Sequence, residues 1–120
     1  MNTKPNYTLI MPEKAVLDAN LAETLRQNVE ESFEAGQPNI IINLSHCNSI
    51  EKGAATALLD THQFVYDHGG SMVLTMLTDE VLNAMKKEQF HLTLNITPTL
   101  IEAVDIISME ILERDLYNES

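Results

Sequence analysis

The sequence has little positive charge, one cysteine and no long apolar run, and each shortage narrows what the chain can be. Seven Lys and Arg stand against eighteen Asp and Glu, leaving a net charge of −11. The pI is near 4.5. A nucleic-acid backbone or an anionic membrane would be repelled by such a field, and Lys86–Lys87 is the one clustered positive pair. No nucleic acid is expected as a partner; a protein with a basic face is. The same acidity also serves plain solubility. A lone Cys47 cannot form an internal disulfide, which fits a reducing compartment. No apolar run approaches the roughly 18 residues that span a bilayer. Met1–Asn6 is polar and lacks the basic-then-apolar pattern of a signal peptide. A cytoplasmic protein without membrane insertion is the expectation.

Catalytic signatures are missing as well. There is no GxxxxGK[ST] phosphate loop, no GxGxxG fingerprint and no GxSxG nucleophile elbow. The histidines are His46, His62, His68 and His91. Helical metal pairs sit four apart, whereas His62 and His68 are six apart, and the adjacent His46 and Cys47 rarely point at one metal. No metal and no cofactor is expected. Cys47 precedes a helix whose dipole would favour a thiolate, but no orienting carboxylate is identifiable, so a small buried cysteine is the plainer reading. Met72, Met76 and Met85 fall at core positions and read as gap-fillers.

What the chain does have is an ordinary globular composition, 44% hydrophobic with a mean hydropathy of −0.09, and a length suited to one domain. Residues 1–120 are read as that domain, with a core over about 7–116. Tyr7–Met11 is β-prone and stopped by Pro12, and Ala15–Leu17 reads as a short extended piece. Leu21, Leu25, Val29 and Phe33 recur every fourth residue, predicting a helix over 20–34 with Gly36 at its C-cap. The run Asn39–Leu44, with three consecutive isoleucines, predicts a central parallel strand buried on both faces.

A polar turn, Ser45–Ser49, leads to a second helix ending near His68, its inner face Ala54, Ala57, Leu58, Thr61 and Val65. Asn48 and Glu51 have the spacing of a capping box. Met72–Leu77 predicts a strand, and Thr78 or Asp79 a cap for a third helix. His91–Ile96 predicts a last strand. Pro98 suits the first turn of a final helix that reaches about Leu116, with Glu102, Asp105, Glu110, Glu113 and Asp115 on its wet side. Strands alternating with helices argue for an α/β domain.

In this order the segments resemble the STAS (sulfate transporter and anti-sigma factor antagonist) domain. Leu17-Asp18 and Ile40-Ile41-Ile42-Asn43-Leu44-Ser45 are similar to its Leu-Asp and hydrophobic-Asp-Leu-Ser segments. Ile50-Glu51-Lys52-Gly53-Ala54 lies where the family has Ile-Asp-Ser-Ser-Gly. Gly69–Leu74 and Pro98–Ala103 look like its glycine-ended helix and the opening of its last helix. The match runs over about residues 7–112. The resemblance implies an α/β fold, a mixed β-sheet with about four helices packed largely on one side, and a non-catalytic, protein-binding module.

In anti-sigma factor antagonists a serine at the start of the second helix is phosphorylated by an anti-sigma factor with a GHKL-type kinase fold. A phosphate there adds nearly two charges and breaks the interface. In the ungapped register Gly53 stands at that serine and Lys52 at the one before it; aligning the glycines instead puts Lys52 there. Neither side chain accepts a phosphoryl group, and Asn43 replaces an Asp beside the same loop. The expectation is a bacterial regulator of transcription that binds its partner without the serine switch. Its docking residues would be Asp18, Asn43, Ser45, Asn48, Ser49, Glu51, Lys52, Gly53 and Ala54. Ser45, Ser49 and Thr56 are the nearest hydroxyls should the switch have moved. Two further readings stay open: an accessory subunit of a lipid or anion transport complex, and a small ligand-binding protein or enzyme using His46, Cys47 and Glu51. A homodimer through the acidic last helix is also compatible.

Overall fold

A computed structural model describes residues 1–119. Seven strands, β1 (Asn2–Thr3), β2 (Thr8–Ile10), β3 (Val16–Leu17), β4 (Asn39–Asn43), β5 (Ser49–Ile50), β6 (Ser71–Thr75) and β7 (Ile96–Thr97), alternate with helices α1 (Ala19–Glu34), α2 (Lys52–Asp67), α3 (Asp79–Lys87) and α4 (Leu100–Glu119). The main sheet runs β1-β2-β4-β6-β7, with only β1 antiparallel. β3 and β5 form a separate parallel pair. The sheet is mixed, and β4 lies at its centre.

Alternation along the strands divides the core into two layers. Ile40, Ile42, Met72 and Leu74 point with Ile10 toward one face, where Leu21, Leu25 and Val29 of α1, Leu58 and Val65 of α2, and Val81 and Met85 of α3 cover them. Ile41 and Val73 point to the other, where Ala103 and Ile107 of α4 lie over them. Three helices therefore share one face and α4 alone closes the second. The three isoleucines of β4 are inaccessible to solvent; burying each side chain contributes roughly 1.5–3 kcal/mol, which is why this run occupies the central strand.

The helix ends follow from local chemistry. Asp18 Oδ1 accepts from the Leu21 amide at 2.8 Å and starts α1; Gly36, with φ of 86°, turns the chain out of it. Thr78 Oγ1 accepts from the Val81 amide at the start of α3. At α4 the reciprocal pair is Thr99 and Glu102: the Glu102 amide donates to Thr99 Oγ1 at 3.3 Å, and the Thr99 amide to Glu102 Oε2 at 3.2 Å. Pro98 thus stands before this helix rather than in its first turn.

Several expectations are corrected. Asn48 and Glu51 form no capping box, because Glu51 itself holds the N-cap position of α2 and its side chain makes no cap bond. Residues 91–96 are not one strand. Gln89 takes φ of 62° and starts a 3₁₀ turn over Phe90–Leu92, so only Ile96–Thr97 pairs with β6. The rest of that edge is covered by side chains. The Tyr66 hydroxyl donates to Glu110 Oε1 at 2.8 Å and accepts from the Met72 amide at 3.3 Å, while Asn95 Nδ2 donates to the Tyr66 oxygen at 2.6 Å and to the Met72 carbonyl at 3.3 Å. Glu110 is therefore not on the wet side of α4. Met76 is also misassigned: it follows β6 with φ of 59° and is 41% exposed.

Candidate functional site

The carboxyl ends of β2, β4 and β6 open on one edge of the domain, and the chain between β4 and α2 is built there. Asn43 ends β4, and its Oδ1 accepts from the Ser45 amide at 2.9 Å, an Asx turn that carries the chain off the sheet. The Cys47 amide then bonds the Leu44 carbonyl at 3.0 Å. Leu44 and Cys47 are fully buried, whereas Ser45, His46 and Asn48 are exposed. The apolar pair pins a polar loop to the core.

The second, small sheet fixes the far side of this loop. Val16 pairs with Ser49 and Leu17 with Ile50. The Asn48 amide donates to the Ala15 carbonyl at 2.7 Å, and the Glu51 amide to the Leu17 carbonyl at 2.9 Å. Because these strands are parallel, Asp18 and Glu51 come next in register and occupy the N-cap positions of α1 and α2 side by side, with only Asp18 making a side-chain cap bond. Both carboxylates sit where helix dipoles favour negative charge. Asp18 is committed to its cap, so it shapes the site more than it offers a free contact. Ser49 is half-buried, and Thr56 is exposed with its hydroxyl turned back to the Lys52 carbonyl at 3.4 Å.

Lys52 and Gly53 make the exposed first turn of α2. The Lys52 ammonium lies 4.0 Å from Glu88 with side chains 78% and 45% accessible, a pair that contributes little in water. A Cβ built at Gly53 meets nothing within 4 Å. The position faces open space, with room for a larger side chain. Ala54 is fully buried and holds the turn against the core instead of offering surface. The structure thus gathers Asn43, Ser45, Asn48, Ser49, Glu51, Lys52 and Gly53 into one edge beside Asp18.

The sequence left three apolar neighbours of this edge unassigned to it. Met11 follows β2, Val16 lies in β3, and Met76 follows β6; they are 45%, 43% and 41% exposed. Nothing local marks Met76 as exposed, since it lies in the largely apolar run Met72–Leu77; its left-handed backbone is what turns it out. A cleft of about 160 Å³ adjoins the first turn of α2, between Ile50, Lys52 and Ala55 on one side and Met85, Glu88 and Phe90 on the other.

Of His46, Cys47 and Glu51, only Cys47 is buried; the other two are exposed. Burial pushes the Cys47 thiol up from its ordinary pKa, the opposite of an activated nucleophile. Among the described residues, no group of three or more His, Cys, Asp and Glu is placed to hold a metal ion, and no helix is long and apolar enough to cross a membrane.

Solved structures share this architecture. A candidate anti-sigma factor antagonist from Thermotoga maritima superposes with a TM-score of 0.76 at 19% identity, over 88% of this chain and 90% of that one. The anti-sigma factor antagonist SpoIIAA of Bacillus, in its unphosphorylated form, does so with a TM-score of 0.65 at 15% identity, over 90% and 94%. The murine anion transporter Slc26a9 matches with a TM-score of 0.70 at 14% identity; 87% of this chain corresponds to 18% of that one. No curated protein matches the sequence significantly. The model of the STAS domain matches residues 1–103, most of the chain and every strand, and the chain belongs to that family.

Proposed function

We propose that this chain is a non-catalytic regulatory module that captures a partner protein on the edge formed by the 44–51 loop and the first turn of α2. The leading partner class is an anti-sigma factor with a GHKL-type serine kinase fold, in a bacterial cytoplasm, with transcription as the regulated output. The observation that carries this reading is the open, solvent-facing Gly53 at the start of α2 in a STAS domain. A related fold, SpoIIAA, is known in phosphorylated and unphosphorylated forms. Here the equivalent turn carries Lys52 and Gly53, so association would run without the serine switch. The net charge of −11 favours a partner with a basic face.

A second reading, an accessory subunit of a lipid or anion transport complex, is favoured by one observation: the same fold occurs within the Slc26a9 anion transporter. The experiment mixes the purified chain with the GHKL-fold anti-sigma kinases of its own organism, with and without ATP. The expected result is a stoichiometric complex, no added mass on the wild-type chain after ATP, and a single phosphate on Gly53→Ser. Phosphate on Ser45, Ser49 or Thr56 of the wild type would overturn the switchless mechanism. Failure to bind any such kinase, together with capture by an ATP-binding-cassette transporter, would replace the first reading by the second.

A further inference from the structure

Helix α4 is apolar on two sides. Its inner side, Ala103 and Ile107 flanked by Leu100, Val104 and Ile111, closes the second face of the sheet. Its outer side carries Ile101, Met109, Leu112 and Leu116, which remain 75%, 61%, 60% and 58% exposed. At 100° per residue these four share one arc, a stripe roughly 22 Å long. A helix covering a sheet ordinarily turns polar residues outward. Four large apolar side chains in line on the solvent side mark a surface that is covered in use.

Charge selects the cover. Glu102, Asp105, Glu113 and Asp115 are exposed along the same outer half of the helix, and none of them forms an ion pair among the described residues. Arg114, the one cation of α4, is turned inward, its guanidinium donating to Ser71 Oγ and Asn39 Oδ1, each at 2.7 Å. A second copy would bring the same four carboxylates and another −11 to the contact, and an anionic lipid surface would be repelled likewise.

We propose that the outer face of α4 docks an amphipathic helix of a partner protein, its apolar ridge on the Ile101–Leu116 stripe and its flanking Lys or Arg against these carboxylates. The surface lies across the sheet from the start of α2 and does not depend on the reading of that edge.

The test uses the full chain and a fluorescent helical peptide of about five turns with a leucine ridge flanked by lysines. The wild type binds this peptide, and Met109→Asp combined with Leu112→Asp weakens binding by about tenfold or more while the circular dichroism spectrum is unchanged. Ile101→Ser with Leu116→Ser gives the same loss should the aspartates perturb folding. Three results would overturn the proposal. The first is unchanged binding by both double variants. The second is equal binding of a peptide with its leucines scattered or its lysines replaced by glutamates. The third is a wild-type dimer in sedimentation that the variants dissolve, which would make a second copy the occupant.

Discussion

Two glycines show how differently one residue type can be constrained. At Gly70 an added Cβ would lie 2.1 Å from the Pro38 carbonyl oxygen and 2.9 Å from Phe33 Cζ, because the start of β6 presses against the start of β4 and the end of α1. The backbone oxygen cannot move aside without shifting β4. Gly53 has open space and helical backbone. Gly70→Ala is therefore expected to lower stability by about 1–3 kcal/mol, and Gly53→Ala to raise it by about 0.4–1 kcal/mol. Urea denaturation distinguishes them as opposite shifts of midpoint at constant slope; a neutral Gly70→Ala would mean that this contact relaxes freely. The sequence identified Gly69–Gly70 as a helix terminator, which they are. That one of them is also a point of contact depends on Pro38, thirty-two positions away, and no local pattern carries it. That Lys52 and Gly53 carry no hydroxyl, by contrast, is plain from the letters alone.

At the scale of elements, long periodic segments were legible and short ones were not. The i, i+4 stripe of α1 and the isoleucine run of β4 each bury enough apolar surface to set their own structure. β1, β3, β5 and β7 have two residues each, too few to show a period, and are held by their neighbours. The expected strand at 91–96 failed because the edge of β6 is covered instead by Tyr66, Asn95 and Glu110, a way of protecting a sheet edge without a strand. Burial, first, and the hydrogen bond to Glu110 push the Tyr66 hydroxyl up to about 12. Tyr66→Phe keeps the ring but leaves Asn95 Nδ2 and the Met72 amide without that oxygen. The expected loss is about 1–3 kcal/mol, with faster hydrogen exchange at the Met72 amide than at Val73. In the wild type, stability should also fall as pH rises from 10 toward 12, where the unfolded tyrosine ionises before the folded one. Tyr66→Phe should remove that part of the decline, and an unaltered profile would show that Tyr66 is not its source.

For the whole molecule the dominant long-range quantity is charge. Eleven unbalanced negative charges occupy a body of 43 × 25 × 23 Å. At 0.01 M salt the Debye length is about 30 Å, longer than the two short axes, so carboxylates across the molecule repel one another; at 0.15 M it is about 8 Å and only neighbours interact. Unfolding lets the chain expand and relieves this repulsion, so screening it favours the folded state. The opposing contribution is small: Arg26 pairs with Glu23 at 2.6 Å and with Glu30, and Lys52 with Glu88. All three pairs are exposed and contribute little. Stability measured with urea, an uncharged denaturant, should therefore increase between 0.01 and 0.15 M sodium chloride, with the midpoint moving up and the slope unchanged. If stability falls instead, the local pairs outweigh the net field. An acidic surface would then act at the level of partner choice, without a measurable penalty on the fold.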